Sequence, residues 1–295
     1  MANNLSNGRP RIACEVMATR VTAARVNATR HVVEAVHSRT LPPGAVTPNL
    51  LATNVAEGSA VRDAIEEMVS TVAGRTRDVI AIVPDAAVRI VLLEFDTLPE
   101  RRLDADSVVR FRLKKSLPFD IDKAALSYDV ARAPGMVKVV AAVTPSAVLQ
   151  EYEQVFRDAG CNPGIVMPST IAALGAVDTS RPTLVLKVDA DTSSVAILNH
   201  GELLLYRTLE NGGTIISGER LAEDVYPSVV FFQDTFGVNV ERVLVAGRVA
   251  IQDVAPALEA QTGSRVQELV GLTTLAMNGN TDRSELAGVV GALIG

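Results

Sequence analysis

The sequence predicts an α/β protein built from two related halves, with a smaller α/β block inserted into the chain. Three observations carry this. A short pattern occurs twice: runs of strand-forming residues at 11–14 and 184–188 reach a carboxylate, Glu15 or Asp189, cross a turn containing Ser or Thr, and resume as strands at 21–27 and 195–199. The length, 295 residues, exceeds the size at which one hydrophobic core usually stops growing. The interior must be mostly Val, Ala and Leu, because 48% of residues are hydrophobic while 4% are aromatic and none is Trp, a palette that suits layered sheets and helices.

In the first half, a third strand follows the hairpin at 31–39, where polar and apolar residues alternate until Leu41-Pro42-Pro43-Gly44 breaks the run. A helix is expected over 59–73: Val61, Ile65, Met68, Val69 and Val72 recur at helical spacing, Ser59 is placed to cap the start and Gly74 to close the end. Residues 79–83 read as a short buried strand stopped by Pro84. The texture then changes. A strand at 88–95, a helix capped by Asp104 or Asp106 and running to about Leu117, strands at 124–132 and 137–143, and a helix at 145–159 form a β-α-β-β-α block ending at Gly160. The second half restarts at Thr183 with its hairpin, adds a strand at 202–209, and enters a long helix after Asn211-Gly212-Gly213. A strand at 242–246, a helix at 251–260 and a closing helix at 285–294 complete it. The expected division is 1–85 for the first half, 86–165 for the insertion and 166–295 for the second half.

A formal net charge of −6 argues against nucleic acid as the main partner, since counterion release needs a concentrated basic surface. Cys14 and Cys161 are the only cysteines and residues 1–10 carry no secretory signal, so reduced thiols and a cytoplasmic location are expected. The apolar stretch 286–294 is far short of the about 20 residues that a bilayer requires. His31, His37 and His200 lack metal-ligand spacing with cysteine or carboxylate, so no metal site is expected. No GxSxG elbow, HExxH helix or GxxxxGK(S/T) loop is present.

The order strand, acidic turn, strand, strand, helix, strand, repeated around an insertion, resembles the actin-like superfamily, whose two phosphate hairpins face each other across a cleft. The implied fold is actin-like (ribonuclease H-like), with two α/β halves and an inserted β-α-β-β-α domain. Within the superfamily the chain resembles the PilM family of type IV pilus assembly proteins. The resemblance rests on Leu98-Pro99, on Lys115-Ser116-Leu117-Pro118-Phe119 leading to Tyr128-Asp129-Val130, and on Val139, Ala141, Ala142 and Val143. It continues through Asp158-Ala159-Gly160-Cys161-Asn162-Pro163, Ile171-Ala172-Ala173-Leu174, Val188-Asp189 and Tyr206-Arg207-Thr208-Leu209-Glu210-Asn211-Gly212-Gly213. It implies a non-catalytic scaffold, cytoplasmic and peripheral to the inner membrane. The implied partners are the cytoplasmic tail of a PilN-like membrane protein, held as an extended peptide between the first half and the insertion, and other pilus-assembly components. A GspL-like component of type II secretion, a family that continues into a transmembrane helix, is the neighbouring alternative.

The same resemblance frames the nucleotide question, because phosphate needs closely approaching backbone amides and glycine permits them. The family's first loop has the form Asp-x-Gly-Ser; here Glu15 replaces the Asp and Met17 the Gly. In the second loop Asp189 is kept, yet Asp191 takes the glycine position. In the third, Ala246-Gly247-Arg248 keeps one glycine of two, and Gly212 and Gly213 are expected mainly to turn the chain from strand into helix. One helix fills the space between Gly213 and Arg242, where nucleotide-binding relatives insert a base-clamping subdomain. Nucleotide binding is therefore expected to be degenerate, with no cofactor. The rival is an active ATPase or kinase with Glu15 and Asp189 organising Mg²⁺ and Thr19, Thr192 and Ser193 on phosphate. Finally, Arg110, Arg112, Lys114 and Lys115, interleaved with Val108, Val109, Phe111 and Leu113, form a basic amphipathic element. It is expected to be a solvated face or to meet anionic headgroups or an acidic partner segment.

Overall fold

Strand parity sorts the apolar residues of the two hairpins onto two faces. In β1 (Ile12–Val16), Ile12, Cys14 and Val16 enter an outer core while Ala13 enters a central one; in β9 (Thr183–Val188), Leu184, Leu186 and Val188 point outward and Val185 points to the same central core. The computed structural model describes residues 8–27, 29, 32–73, 76–133, 135–211, 217–271 and 282–295. Gly74 and His31 lie outside them, as do Gly212 and Gly213.

Each half is a five-stranded sheet of the same design. In the first, β2 (Arg20–Val26) pairs antiparallel with β1 and with β3 (Val33–Thr40), and β4 (Asp78–Val83) and β8 (Asn162–Pro168) add in parallel, giving the order β3-β2-β1-β4-β8. The second repeats it with β10 (Thr192–Asn199), β11 (Glu202–Glu210), β12 (Arg242–Gly247) and β13 (Arg265–Glu268), in the order β11-β10-β9-β12-β13. The two halves expected from the sequence are thus present as one topology used twice. The insertion is a three-stranded antiparallel sheet, β5 (Arg89–Phe95), β7 (Met136–Pro145) and β6 (Ala124–Ala133), ordered β5-β7-β6, with α2 (Arg102–Leu113) packed on it through Ala105, Val109 and Leu113.

Helices fill three layers. On the outside of the first sheet lie α1 (Gly58–Val72) and α3 (Ser146–Asp158). On the outside of the second lie α5 (Gly218–Phe236) and α6 (Ile251–Thr262). Between the sheets, α4 (Ser169–Leu174) and α7 (Ala287–Ile294) join Ala13, Ile80, Ile82, Val185, Ala196 and Leu244 in the central core.

Several boundaries differ from the sequence expectation. The helix expected to complete the insertion, α3, belongs to the first half: Val148, Tyr152, Val155 and Phe156 sit in the core under β1 and α1. It is the crossover from the parallel strand β4 to β8, which a parallel pair requires, and matches α6 between β12 and β13. The insertion therefore ends with β7, and β8 carries the chain back into the first sheet before residue 165. Ser59 lies inside α1, whose N-cap is Glu57. Neither Asp104 nor Asp106 caps α2; the cap is Arg101, Asp104 sits in the first turn, and Asp106 pairs with Arg110 one turn on. That helix stops at Leu113, and a 3-10 turn over Arg283–Leu286 precedes α7.

Candidate functional site

The parity that points Ala13 and Val185 inward does the same to Glu15 and Lys187, so the two related hairpins bring a carboxylate and an ammonium face to face between the halves. Lys187 is 4% exposed, and its Nζ donates to both oxygens of Asp189, at 2.7 and 2.8 Å. Burial alone would lower its pKa; Asp189, Glu15 and Asp85 together reverse that and hold it above the ordinary lysine value. Glu15, 1% exposed, accepts from Ser169 Oγ, while its Oε2 has no hydrogen-bond partner among the described residues. Burial pushes its carboxyl up, with Lys187 and Arg20 opposing. A Cβ added at Gly288 of α7 would stand 2.5 Å from Glu15 Oε1, so a larger residue there would displace the carboxylate.

Asp85, in the 3-10 turn after Pro84, completes the group. It accepts from Thr170 N at 2.8 Å, from Thr170 Oγ1, and from Ser194 Oγ at 3.0 Å, tying α4 of the first half and β10 of the second to one carboxylate. Burial raises its pKa too, with Lys187 opposing. Among the described residues, then, the centre of the cleft is three carboxylates around one resident ammonium.

Above this group the turns expected to hold phosphate come together. Met17, Thr19, Asp189, Asp191, Thr192 and Arg248 line one space, whose volume is about 20 Å³. Met17 is buried, its N–H donating to Arg20 O at 2.9 Å. Ser193 Oγ bonds to Asn211 Oδ1 at 2.8 Å and Arg248 faces Glu285 at 4.0 Å. Gly247 has φ +95°, and a Cβ there would lie 1.9 Å from Val188 O; it serves the pairing of β12 with β9. Gly212 and Gly213 fall outside the described residues. Sequence reasoning missed Lys187, Asp85, Ser169 and Thr170. A lysine at an inward position of an otherwise apolar strand was the available signal.

The basic element is divided by the fold. Arg110 is structural: Nε bonds Asp106 Oδ2 at 2.7 Å, and the guanidinium reaches Ile121 O at 2.9 Å and Ala124 O at 3.3 Å. Arg112 lines a groove between β5 and β11, while Lys114, Lys115 and the 77% exposed Phe111 face outward. A second groove, about 250 Å³ and largely apolar, runs between the insertion and the first half. Leu126, Val148, Tyr152, Val166 and Met167 line it, and β6 and β8 are end strands of their sheets.

No protein-family model and no curated protein matches the chain. Solved structures do. A chain of the PilM-PilN type IV pilus biogenesis complex superposes with a TM-score of 0.81 at 19% identity, over 97% of this chain and 98% of that one. The cytoplasmic domain of EpsL, an inner membrane component of the type II secretion system of Vibrio cholerae, gives 0.55 at 10% identity, over 96% and 94%. A Bacteroides thetaiotaomicron protein with an actin-like ATPase fold gives 0.53 at 8% identity, over 86% and 89%. Among the described residues no helix is long and apolar enough to cross a membrane. With its doubled sheet, facing hairpins and single insertion, the chain has the actin-like ATPase fold, arranged end to end as in the PilM-PilN structure.

Proposed function

We propose that this chain is a PilM-like scaffold of type IV pilus assembly, without ATPase activity, that holds the cytoplasmic tail of a PilN-like inner-membrane protein. The observation that carries this is the groove between β6 and β8. Two strand edges flank an apolar trough of about 250 Å³, which suits an extended peptide that adds backbone hydrogen bonds and seats alternate side chains. The tail fixes the scaffold to the cytoplasmic face of the inner membrane, with Lys114 and Lys115 outward to meet an anionic leaflet. The agreement with the pilus complex, 0.81 against 0.55 for the secretion component, favours the pilus over the secretion machine.

The dimensions of the cleft support the absence of catalysis. Nucleotide sites offer several hundred Å³, against about 20 Å³ here. Lys187 also holds by direct bonds a carboxylate that would otherwise meet the metal of a bound nucleotide.

Calorimetric titration tests both parts. The tail peptide of the PilN-like protein should bind, and Leu126→Glu or Met167→Glu should abolish that binding with the circular dichroism spectrum unchanged. Mg-ATP should bind no more tightly than about millimolar, roughly 4 kcal/mol. Undiminished tail binding by both folded variants overturns the docking; micromolar Mg-ATP overturns the degenerate cleft.

A further inference from the structure

The larger groove lies on the opposite edge of the inserted sheet. β5 ends that sheet and β11 ends the sheet of the second half; the two face each other without pairing, around a space of about 890 Å³ walled on one side by α5. Its lining combines two features. One is apolar surface: Leu92 and Leu93 of β5, Leu203 of β11, and Phe231 of α5, which is left 54% exposed. The other is unbalanced charge. Arg89, Arg112 and Arg207 all line the groove and none forms an ion pair with a carboxylate among the described residues, whereas Lys138 is matched by Glu202 at 2.8 Å. Glu94 is the one acidic side chain in the lining among the described residues. A chain whose net charge is −6 thus gathers unmatched guanidinium groups around an apolar trough.

We propose that this groove is a second docking site, for an extended acidic segment of a partner protein whose carboxylates alternate with Leu- or Phe-sized side chains. Arginine forks bind carboxylates through paired hydrogen bonds, which a lysine-rich patch would not favour in the same way. Alternation follows from strand geometry, since an extended segment presents successive side chains to opposite sides. The six residues Arg89 to Glu94 that line the groove set its length, roughly 20 Å at strand rise. The trough is concave and sits between two domains, a shape that a flat bilayer surface does not enter. Because β5 and β6 are opposite ends of one three-stranded sheet, the two grooves are separate and both fill at once. The scaffold would then bridge a membrane-anchored tail and a second, acidic component.

Fluorescence anisotropy with two labelled peptides tests this: a dodecapeptide alternating Glu and Leu, and its counterpart alternating Lys and Leu. The full chain should bind the acidic peptide, more weakly as salt rises, and not the basic one. The Arg89→Glu/Arg112→Glu double variant should lose about tenfold or more in affinity, and Phe231→Ser should lose it as well, while both keep the wild-type melting temperature and bind the PilN-like tail peptide as before. Equal binding of the two peptides, an unchanged affinity in the double variant, or competition between the acidic peptide and the tail would each overturn the proposal. So would a concentration-dependent dimer in sedimentation that Phe231→Ser abolishes, since a second copy would then own the groove. Failure of the wild-type chain to bind the tail peptide, with acidic-peptide binding intact, would count against the first groove and leave this one standing; loss of tail binding in either variant would overturn the proposal.

Discussion

Replacing Lys187 by Met tests the resident ammonium most directly. Met keeps the length and apolar stem of the side chain, so the change removes charge and hydrogen bonds with little change in volume. What remains is Asp189, left without its bonds at 2.7 and 2.8 Å, beside Glu15 and Asp85. Removing one partner of a buried ion pair costs about 3–5 kcal/mol, because the other charge stays desolvated. At about 2–4 °C per kcal/mol for a large domain, the melting temperature at pH 8 should fall by roughly 6–20 °C. The pH dependence has a definite sign. A lysine pKa held above its unfolded value contributes fully below that value and loses its contribution only as pH rises through the folded pKa, so wild type keeps this term at both pH 8 and pH 5. Burial raises the pKa values of Glu15 and Asp85, so they become neutral more readily on acidification, and the deficit of the variant should shrink at pH 5. Melting followed by circular dichroism at the two pH values decides it. An unchanged melting temperature at pH 8, or the same deficit at both, would refute the charge account.

Three other outcomes follow from the same structure. Glu15 has a pKa raised by burial, so its ionisation costs stability above the folded pKa, and the cost fades as pH falls toward the ordinary value of 4.5; Glu15→Gln should flatten that stretch of a urea-denaturation profile, and an unaltered slope would count against it. Gly247→Ala places a Cβ against Val188 O at a positive φ and should lower stability by at least about 2 kcal/mol in the same assay. Phe156→Ala opens a cavity in a fully buried site and should cost about 3–5 kcal/mol. Its faster hydrogen exchange should appear in β1, β4 and α1; a rise confined to β6 and β7 would return α3 to the insertion.

The sequence made the hairpins legible because alternation is local: a strand buried on both faces still separates Ile12, Cys14 and Val16 from Ala13. What a helix packs on is not local. Val148, Tyr152, Val155 and Phe156 announce an apolar stripe, but only the need to cross from β4 to a parallel neighbour says which sheet it covers. That neighbour was hidden because it begins Asn162-Pro163-Gly164, and residues that break central strands are tolerated at a sheet edge. β13 carries no strand signal because its four residues, Arg265–Glu268, are mostly polar. In the cleft, the missing glycines mark Met17 and Asp191 in the sequence, whereas the place of Lys187 depends on strand parity. The basic cluster held its own clue: Asp106 stands four residues before Arg110, a spacing that pairs them on one helix face.

The helix α7 lies later in the chain than every strand of both sheets, yet it packs on β1, β2 and β4 and shares the central core with Val185 of the second sheet. During synthesis, therefore, neither inner face has its cover when its own strands are complete. The first half waits for a segment some 270 residues downstream of β1, the kind of distant contact that slows folding and keeps apolar surface open in the meantime. A nascent chain halted after β13 would carry two finished sheets and an unfinished interior, and would be a natural client for chaperones until residues 287–294 emerged from the ribosome.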